Sequence, residues 1–235
     1  MPSIDVCFSP ELLPLFKLQG KIAVAVDVLR ATSSMVTALS HGVVHIAPVS
    51  ELTECMAYKD QGYMVAAERD GVKAEGFDLG NSPFHYQEEG VRGRHLAITT
   101  TNGTQAIRLS RPADEVLIGA FLNVGAVADY LRKAGKDVVV VCAGWKGLFN
   151  LEDTLFAGAL AERLEGDFEL NHDATLAAYH LYQTAKSDLL GFLSKSSHVQ
   201  RLERLHILPD IEFCLREDVY QVVPILQGDF LVPAQ

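Results

Sequence analysis

The hydrophobic pattern of the chain repeats one unit three times: an unbroken apolar, β-branched run, a polar loop, then apolar positions at helical spacing. The first unit is Ile22-Ala-Val-Ala-Val26, a loop from Asp27 to Thr32, and a helix through Ser33-Ser-Met-Val-Thr-Ala-Leu39 that ends near Gly42. An apolar run of this length reads as a strand buried on both faces, and a glycine just past a helical pattern terminates it. The second has His95-Leu-Ala-Ile98 as strand, Thr99 to Thr104 as loop, and a short helix from about Gln105 to Leu109, capped by Asn102 or Thr104. The third has Asp137 to Val141 as strand, Cys142 to Asn150 as loop, and Leu151 to Leu164 as helix. Glu152 and Asp153 fall in its first turn, where carboxylates suit the helix dipole.

Val43 to Val49, Met64 to Ala67 and Val116 to Ala120 read as further strands, and Ala174 to Leu190 and Ser196 to Leu205 as helices. Gln221 to Leu226 contains Pro224 and reads as an edge strand, because proline cannot donate to a central ladder. Apolar strands alternating with helices predict an α/β fold of three layers, a mostly parallel or mixed sheet with helices on both faces. In such sheets ligands gather at the carboxyl ends of the strands. All three polar loops fall at those ends, so the pattern predicts that they meet in one crevice.

Length and composition narrow this further. Residues 1 to 235 suffice for a single domain or two closely packed lobes, and 49% hydrophobic with 21% charged residues is a globular composition without a linker-like tract. A net charge of −10 argues against a nucleic-acid partner, since phosphate backbones demand excess Lys and Arg. No apolar stretch approaches the length of a membrane span, and Met1 to Pro10 lacks the basic start and apolar run of a secretory signal. The expectation is a cytoplasmic protein with no membrane partner, with room for a homo-oligomer. Cys7, Cys55, Cys142 and Cys214 are scattered, without zinc-type spacing, and read as reduced, mostly buried thiols.

Within an acidic protein, one small anion can still be held by local cations, helix starts and a metal. Asp27-Val-Leu-Arg-Ala-Thr-Ser-Ser34 sets a carboxylate at a strand end, the forked donor of Arg30 three residues on, and hydroxyls, Thr32 first, at a helix start. The alternative for this segment is a plain cap with a surface ion pair. Thr99-Thr-Thr-Asn-Gly-Thr104 reads as an anion cradle, with Thr100, Thr101, Asn102, Gly103 and Thr104 as binding candidates, or else as a turn. Glu68-Arg-Asp-Gly71 and Gly76-Phe-Asp-Leu-Gly-Asn-Ser-Pro83 are acidic, glycine-rich loops, either solvated or contributing Asn81 and Ser82 to an anion. Lys195-Ser-Ser-His-Val-Gln-Arg201 brings Lys195, Ser196 and Ser197 as binding candidates and His198 as a general acid, or a cap with a structural histidine. Mg²⁺ takes hard oxygens, usually one or two carboxylates with water and substrate oxygens, so Asp27, Glu68, Asp78 and Glu152 are the metal candidates.

Several signatures are missing: there is no Walker-type loop and no G-x-G-x-x-G after the first strand. Leu29 stands where a D-x-D-x-T phosphatase motif needs its second Asp, and Ala143 to Leu148 lack the phosphate-binding Arg that would follow a nucleophilic Cys142.

Taken together and in order, Asp27-Val-Leu-Arg-Ala-Thr32, Glu68-Arg69, Gly76-Phe-Asp-Leu-Gly-Asn-Ser-Pro83, Thr99-Thr-Thr-Asn-Gly-Thr104, Leu151-Glu-Asp-Thr154, Lys195-Ser-Ser-His198 and Asp210-Ile-Glu-Phe-Cys214 resemble the 2-phosphosulfolactate phosphatase family over nearly the whole chain. The resemblance implies a Mg²⁺-dependent phosphatase of α/β fold that hydrolyses 2-phosphosulfolactate to sulfolactate and phosphate in coenzyme M biosynthesis. It implies a substrate bearing phosphate, sulfonate and carboxylate groups. One departure is the loop Ala143-Gly-Trp-Lys-Gly-Leu-Phe-Asn150, with Trp145, Lys146 and Leu148 where relatives tend to carry smaller or polar residues and an Arg. If that loop lines the pocket, substrate preference shifts. The expected mechanism has Asp27, Glu68 and Asp78 holding Mg²⁺, with Arg30, the threonine loop and Ser196-Ser197 clamping anionic oxygens; the nucleophile is water or a side-chain carboxylate. Two other readings keep the cradle: a phosphatase for another phosphorylated hydroxy acid or sugar acid, and a non-catalytic anion sensor.

Overall fold

The computed structural model describes residues 1–234. In chain order its strands are β1 (Ile4–Cys7), β2 (Ile22–Val26), β3 (His45–Pro48), β4 (Met64–Arg69), β5 (Val72–Lys73), β6 (His95–Thr99), β7 (Glu115–Gly119), β8 (Val138–Cys142), β9 (Pro224–Gln227) and β10 (Phe230–Pro233). The α-helices are α1 (Ala31–Ser40), α2 (Leu52–Ala57), α3 (Gly103–Ser110), α4 (Val124–Ala134), α5 (Leu151–Leu164), α6 (Asp173–Ala185), α7 (Leu189–Leu193), α8 (Ser197–Glu203) and α9 (Leu208–Cys214).

The ten strands form one mixed sheet in the order β1-β8-β2-β7-β9-β10-β3-β6-β4-β5. β1, β8, β2 and β7 run parallel, and so do β3, β6 and β4. The antiparallel hairpin β9–β10 joins the two parallel halves, touching β7 through Leu117–Ile225 and β3 through Leu231–Ile46. Every residue of β2 and β8 is buried, as their uninterrupted apolar sequences require of strands covered on both faces.

The core explains how the halves meet. One face of the first half packs Val24, Val26 and Val140 against Phe121, Val127, Phe156 and Leu160 of the α4–α5 side, and the other packs Ala23, Val139 and Val141 against Ala106 of α3. Met35, Val36 and Leu39 of α1 join Ala25 and Ile118 of the first half to Ile46, Ala66 and Ile98 of the second. α1 is thus the shared centre, buried from Ala31 through Leu39. A helix buried on all sides cannot be amphipathic, and the outward polar face expected for Ser33–Leu39 is absent. Most of its hydroxyls are satisfied internally: Ser33 donates to the Val28 carbonyl, Ser34 to the Asn81 carbonyl and Thr37 to the Ser33 carbonyl, while Ser40 Oγ at the helix end has no partner among the described residues.

Two expected elements differ. The helix expected over Ala174–Leu190 breaks after Ala185, because Asp188 caps a new helix by accepting from the Gly191 N–H at 2.9 Å. The expected edge strand over Gln221–Leu226 is instead β9, in the interior of the sheet order. Pro224 is its first residue and pairs with Pro233, so its missing N–H falls at the open end of the hairpin, where the ladder does not need it. All four cysteines are buried and free. Among the described residues no helix is long and apolar enough to cross a membrane.

Candidate active site

A narrow cleft opens where the ends of β2, β4 and β8 meet α3 and α8, lined by Asp27, Arg30, Glu68, Asp70, Asn81, Thr101, Asn102, Trp145, Lys146, His198 and Arg201 among others. Its floor is the turn after β2. Thr32 makes that turn rigid, accepting from the Asp27 N–H and donating to the Asp27 carbonyl, while Asp27 Oδ1 accepts from the Ala31 N–H at 3.3 Å. Thr32 is therefore spent on holding Asp27, and it is fully buried.

The threonine loop reaches this floor through one glycine. A Cβ on Gly103 would lie 2.5 Å from the Ala31 Cβ and 2.9 Å from Asp27 Oδ2, so only glycine lets the start of α3 press against Asp27. Asn102 caps nothing with its side chain; Thr100 does this work, accepting from the Thr104 N–H at 3.2 Å, while the Thr104 hydroxyl donates back to the Thr100 carbonyl. Thr100 and Thr104 are thereby buried and committed, and Thr101 and Asn102 face the cleft.

Carboxyl groups crowd together at and behind the cleft floor. The Asp27 carboxyl is pushed up to about 6, by burial first and also by Glu68 and Glu152, against the opposing pull of the Ala31 N–H and of His198. Asp153, which the sequence placed in a helix turn and nowhere else, accepts from the N–H groups of Val28 (2.8 Å) and Gly144 (3.1 Å) and from the Asn150 amide (2.9 Å). It thereby ties the β2 and β8 loops together, and burial, then Asp27 and Glu152, raise its carboxyl well above the usual range. Three buried side-chain oxygens have no partner among the described residues, and two of them, Asn81 Oδ1 and Glu152 Oε2, belong to residues at or just behind the cleft.

Of the four metal candidates, Asp27 and Glu68 line the cleft. Glu152 is fully buried behind His198, with Oε1 2.5 Å from His198 Nδ1. Asp78 lies elsewhere: it pairs with Lys59 at 2.8 Å and accepts from the Val65 N–H, contacts that hold it below its ordinary value although burial pushes the other way. Its loop was expected in the crevice because Gly76–Pro83 is acidic; the part that arrives is Asn81. Among the described residues no three His, Cys, Asp or Glu side chains form a ready metal cage. The donor set instead suits Mg²⁺, which needs only one or two carboxylates when water and phosphate oxygens complete its shell.

The cations divide likewise. Arg30 is buried at the cleft wall, but its terminal nitrogens already hold the Asp210 carboxylate and, at 2.9 Å, the Gly71 carbonyl. Ser82 also donates to Asp210, at 3.1 Å, and lies outside the cleft in an adjoining hollow. Ser196 caps α8 by accepting from the Val199 N–H, Ser197 lies with Glu152 on the far side of His198 and Trp145, and Lys195 is exposed and does not line the cleft. The Trp145 ring stacks on His198 with centroids 5.3 Å apart, and both Lys146 and Arg201 lie over it. Asp70, Trp145, Lys146 and Arg201 were not among the predicted site residues, though the Trp145 loop stood out in sequence as the departure from the family pattern.

A model of the 2-phosphosulpholactate phosphatase family matches residues 7–229. A protein named probable 2-phosphosulfolactate phosphatase from Caldanaerobacter subterraneus subsp. tengcongensis is 42% identical over 224 residues, 93% of this chain and 92% of its own length. Proteins of the same name from Thermotoga petrophila and Gloeobacter violaceus are 40% and 41% identical, each over 94% of this chain and over 96% and 94% of their own.

Proposed function

The chain belongs to the 2-phosphosulpholactate phosphatase family, and from that premise we propose that it is a Mg²⁺-dependent phosphatase that converts 2-phosphosulfolactate to sulfolactate and phosphate. The observation that carries this reading is Asp27: a carboxyl raised chiefly by its burial and further by its acidic neighbours, at the floor of a cleft rimmed by amide, hydroxyl and cationic groups. Carboxylates alone would repel an anionic substrate, so a cation belongs among them. Asp27 and Glu68 would hold Mg²⁺, which when bound neutralises charge on the phosphoryl oxygens.

The chain's own groups supply the rest. Thr101 and the Asn102 amide offer donors to the remaining phosphoryl oxygens, at the edge where Gly103 seats the loop on Asp27. A carboxylate accepts, so His198 Nδ1 donates to Glu152, and Nε2 is the nitrogen left to give a proton to the departing alkoxide. Trp145 shields that imidazole from water on one face. Glu152 thus acts on His198, and its reading as a metal candidate gives way to one as the residue that orients the imidazole.

A panel of phosphate monoesters, assayed for phosphate release with Mg²⁺ and again with chelator, tests this. The expected outcome is turnover of 2-phosphosulfolactate that chelator abolishes and Mg²⁺ restores. Preference for a phosphorylated sugar acid would move the substrate, and release from none of them despite binding would make the protein a sensor.

A further inference from the structure

Three cations reach the cleft, and they are not equivalent. Arg30 is locked between a buried carboxylate and a carbonyl. Lys146 has no carboxylate partner among the described residues and sits on an exposed turn. Arg201 bridges the mouth: it lies 5.8 Å from the Trp145 ring centroid on one side and 3.3 Å from Asp70, in the β4–β5 turn, on the other. Its side chain keeps 29% exposure while that of Asp70 keeps 84%. An ion pair this open is screened by solvent and held weakly, so it opens at little cost. A guanidinium held over an indole by cation–π attraction keeps that contact when its carboxylate partner leaves, and its fork matches a planar or tripodal oxyanion.

We propose that Arg201 is a specificity-determining residue that leaves Asp70 to bind the substrate's second acidic group, the sulfonate or carboxylate that is not transferred. The inference rests on the phosphatase reading for the location of the transferred phosphate, deep against Asp27, Glu68 and His198. With the phosphate there, a second acid on a three-carbon skeleton points to the mouth, where Arg201 stands. Asp70 then serves as a placeholder: it neutralises Arg201 in the empty cleft and competes with weakly acidic or singly charged ligands.

The test measures equilibrium binding of two probes to the full chain with Mg²⁺ by calorimetry: sulfolactate, which carries both extra acids and no phosphate, and inorganic phosphate. Arg201→Met is expected to weaken sulfolactate at least about tenfold, and phosphate by less than about threefold. Arg201→Lys keeps the charge without the fork and is expected to fall between. Asp70→Asn removes the competitor and is expected to tighten sulfolactate about two- to threefold. 2-Hydroxyethanesulfonate, which is sulfolactate without the carboxylate, and lactate, which is sulfolactate without the sulfonate, then tell which acid Arg201 holds. Equal losses for both probes, no loss for either, or weakening by Asp70→Asn would overturn the proposal. Because sulfolactate binding does not depend on turnover, a protein that shows this pattern but releases no phosphate would refute the phosphatase reading alone.

Discussion

Asp27 is where function and stability oppose each other. Its carboxyl has an ordinary value of 3.8 and titrates near 6 in the fold, chiefly through burial. The folded state therefore binds the proton more tightly than the unfolded chain. Stability associated with Asp27 is present below pH 3.8 and is lost as pH rises through about 6, a cost of about 3 kcal/mol at neutral pH from the relation between pKa shift and free energy. Asp27→Asn removes that cost. In metal-free protein the variant is expected to melt several degrees higher at pH 7.5 and to show no gain at pH 4, checked by calorimetry at both pH values. At the same scale, His198→Ala is expected to lower kcat by about 10²–10⁴ for an alkyl phosphate. The loss should be much smaller for a nitrophenyl ester, whose leaving group needs no proton; equal losses would remove His198 from the acid role.

At the scale of elements, the site depends on how closely loops approach. Gly103→Ala forces a Cβ to within 2.5 Å of Ala31 and 2.9 Å of Asp27 Oδ2. An overpacked contact of this kind costs about 1–3 kcal/mol, and here the displaced loop also carries Thr101 and Asn102. Denaturant midpoint and kcat/KM are expected to fall together; a fall in stability with unchanged kcat/KM would free the threonine loop from substrate binding. Much of this scale was legible in sequence. The strands at Ile22–Val26, His95–Thr99 and Val138–Cys142 lie within a residue of where the apolar runs placed them, and α5 spans Leu151–Leu164 as its periodicity and first-turn carboxylates predicted. β1 escaped notice because Asp5 interrupts its apolar run, although its side chain lies at the sheet's first strand. Hydroxyls misled in a consistent way. Thr32, Thr100, Thr104 and Ser196 sit at strand and helix ends, where a side chain that caps or braces the backbone looks in sequence like one that binds an anion. Asp78 and Asp70 are both acids of glycine-rich loops, and only the curl of β4 into β5 and the placement of Lys59 decide which one reaches the cleft.

For the whole molecule, the deciding feature is that two parallel half-sheets share α1 and are stitched by one short hairpin. Strand order of this kind is not written in local periodicity, so the interior position of β9 could not be read from Gln221–Leu226 alone. A core common to both halves should unfold as one unit. Leu231, fully buried where the hairpin meets β3 and the α1 cluster, tests this: Leu231→Ala is expected to cost about 2–5 kcal/mol while keeping a single urea transition by fluorescence and by circular dichroism. Two separated transitions would mean independent lobes. The joining of the halves also sets the chemistry, since Asp27 and Trp145 come from one half and Glu68, Asn81 and Asn102 from segments of the other. The most direct test of the account is phosphate release from 2-phosphosulfolactate at saturating Mg²⁺ by the wild-type chain and by Asp27→Asn. Asp27→Asn is expected to fold and to turn over with a kcat lower by on the order of 10²–10³. A variant that matches wild-type turnover would contradict the account.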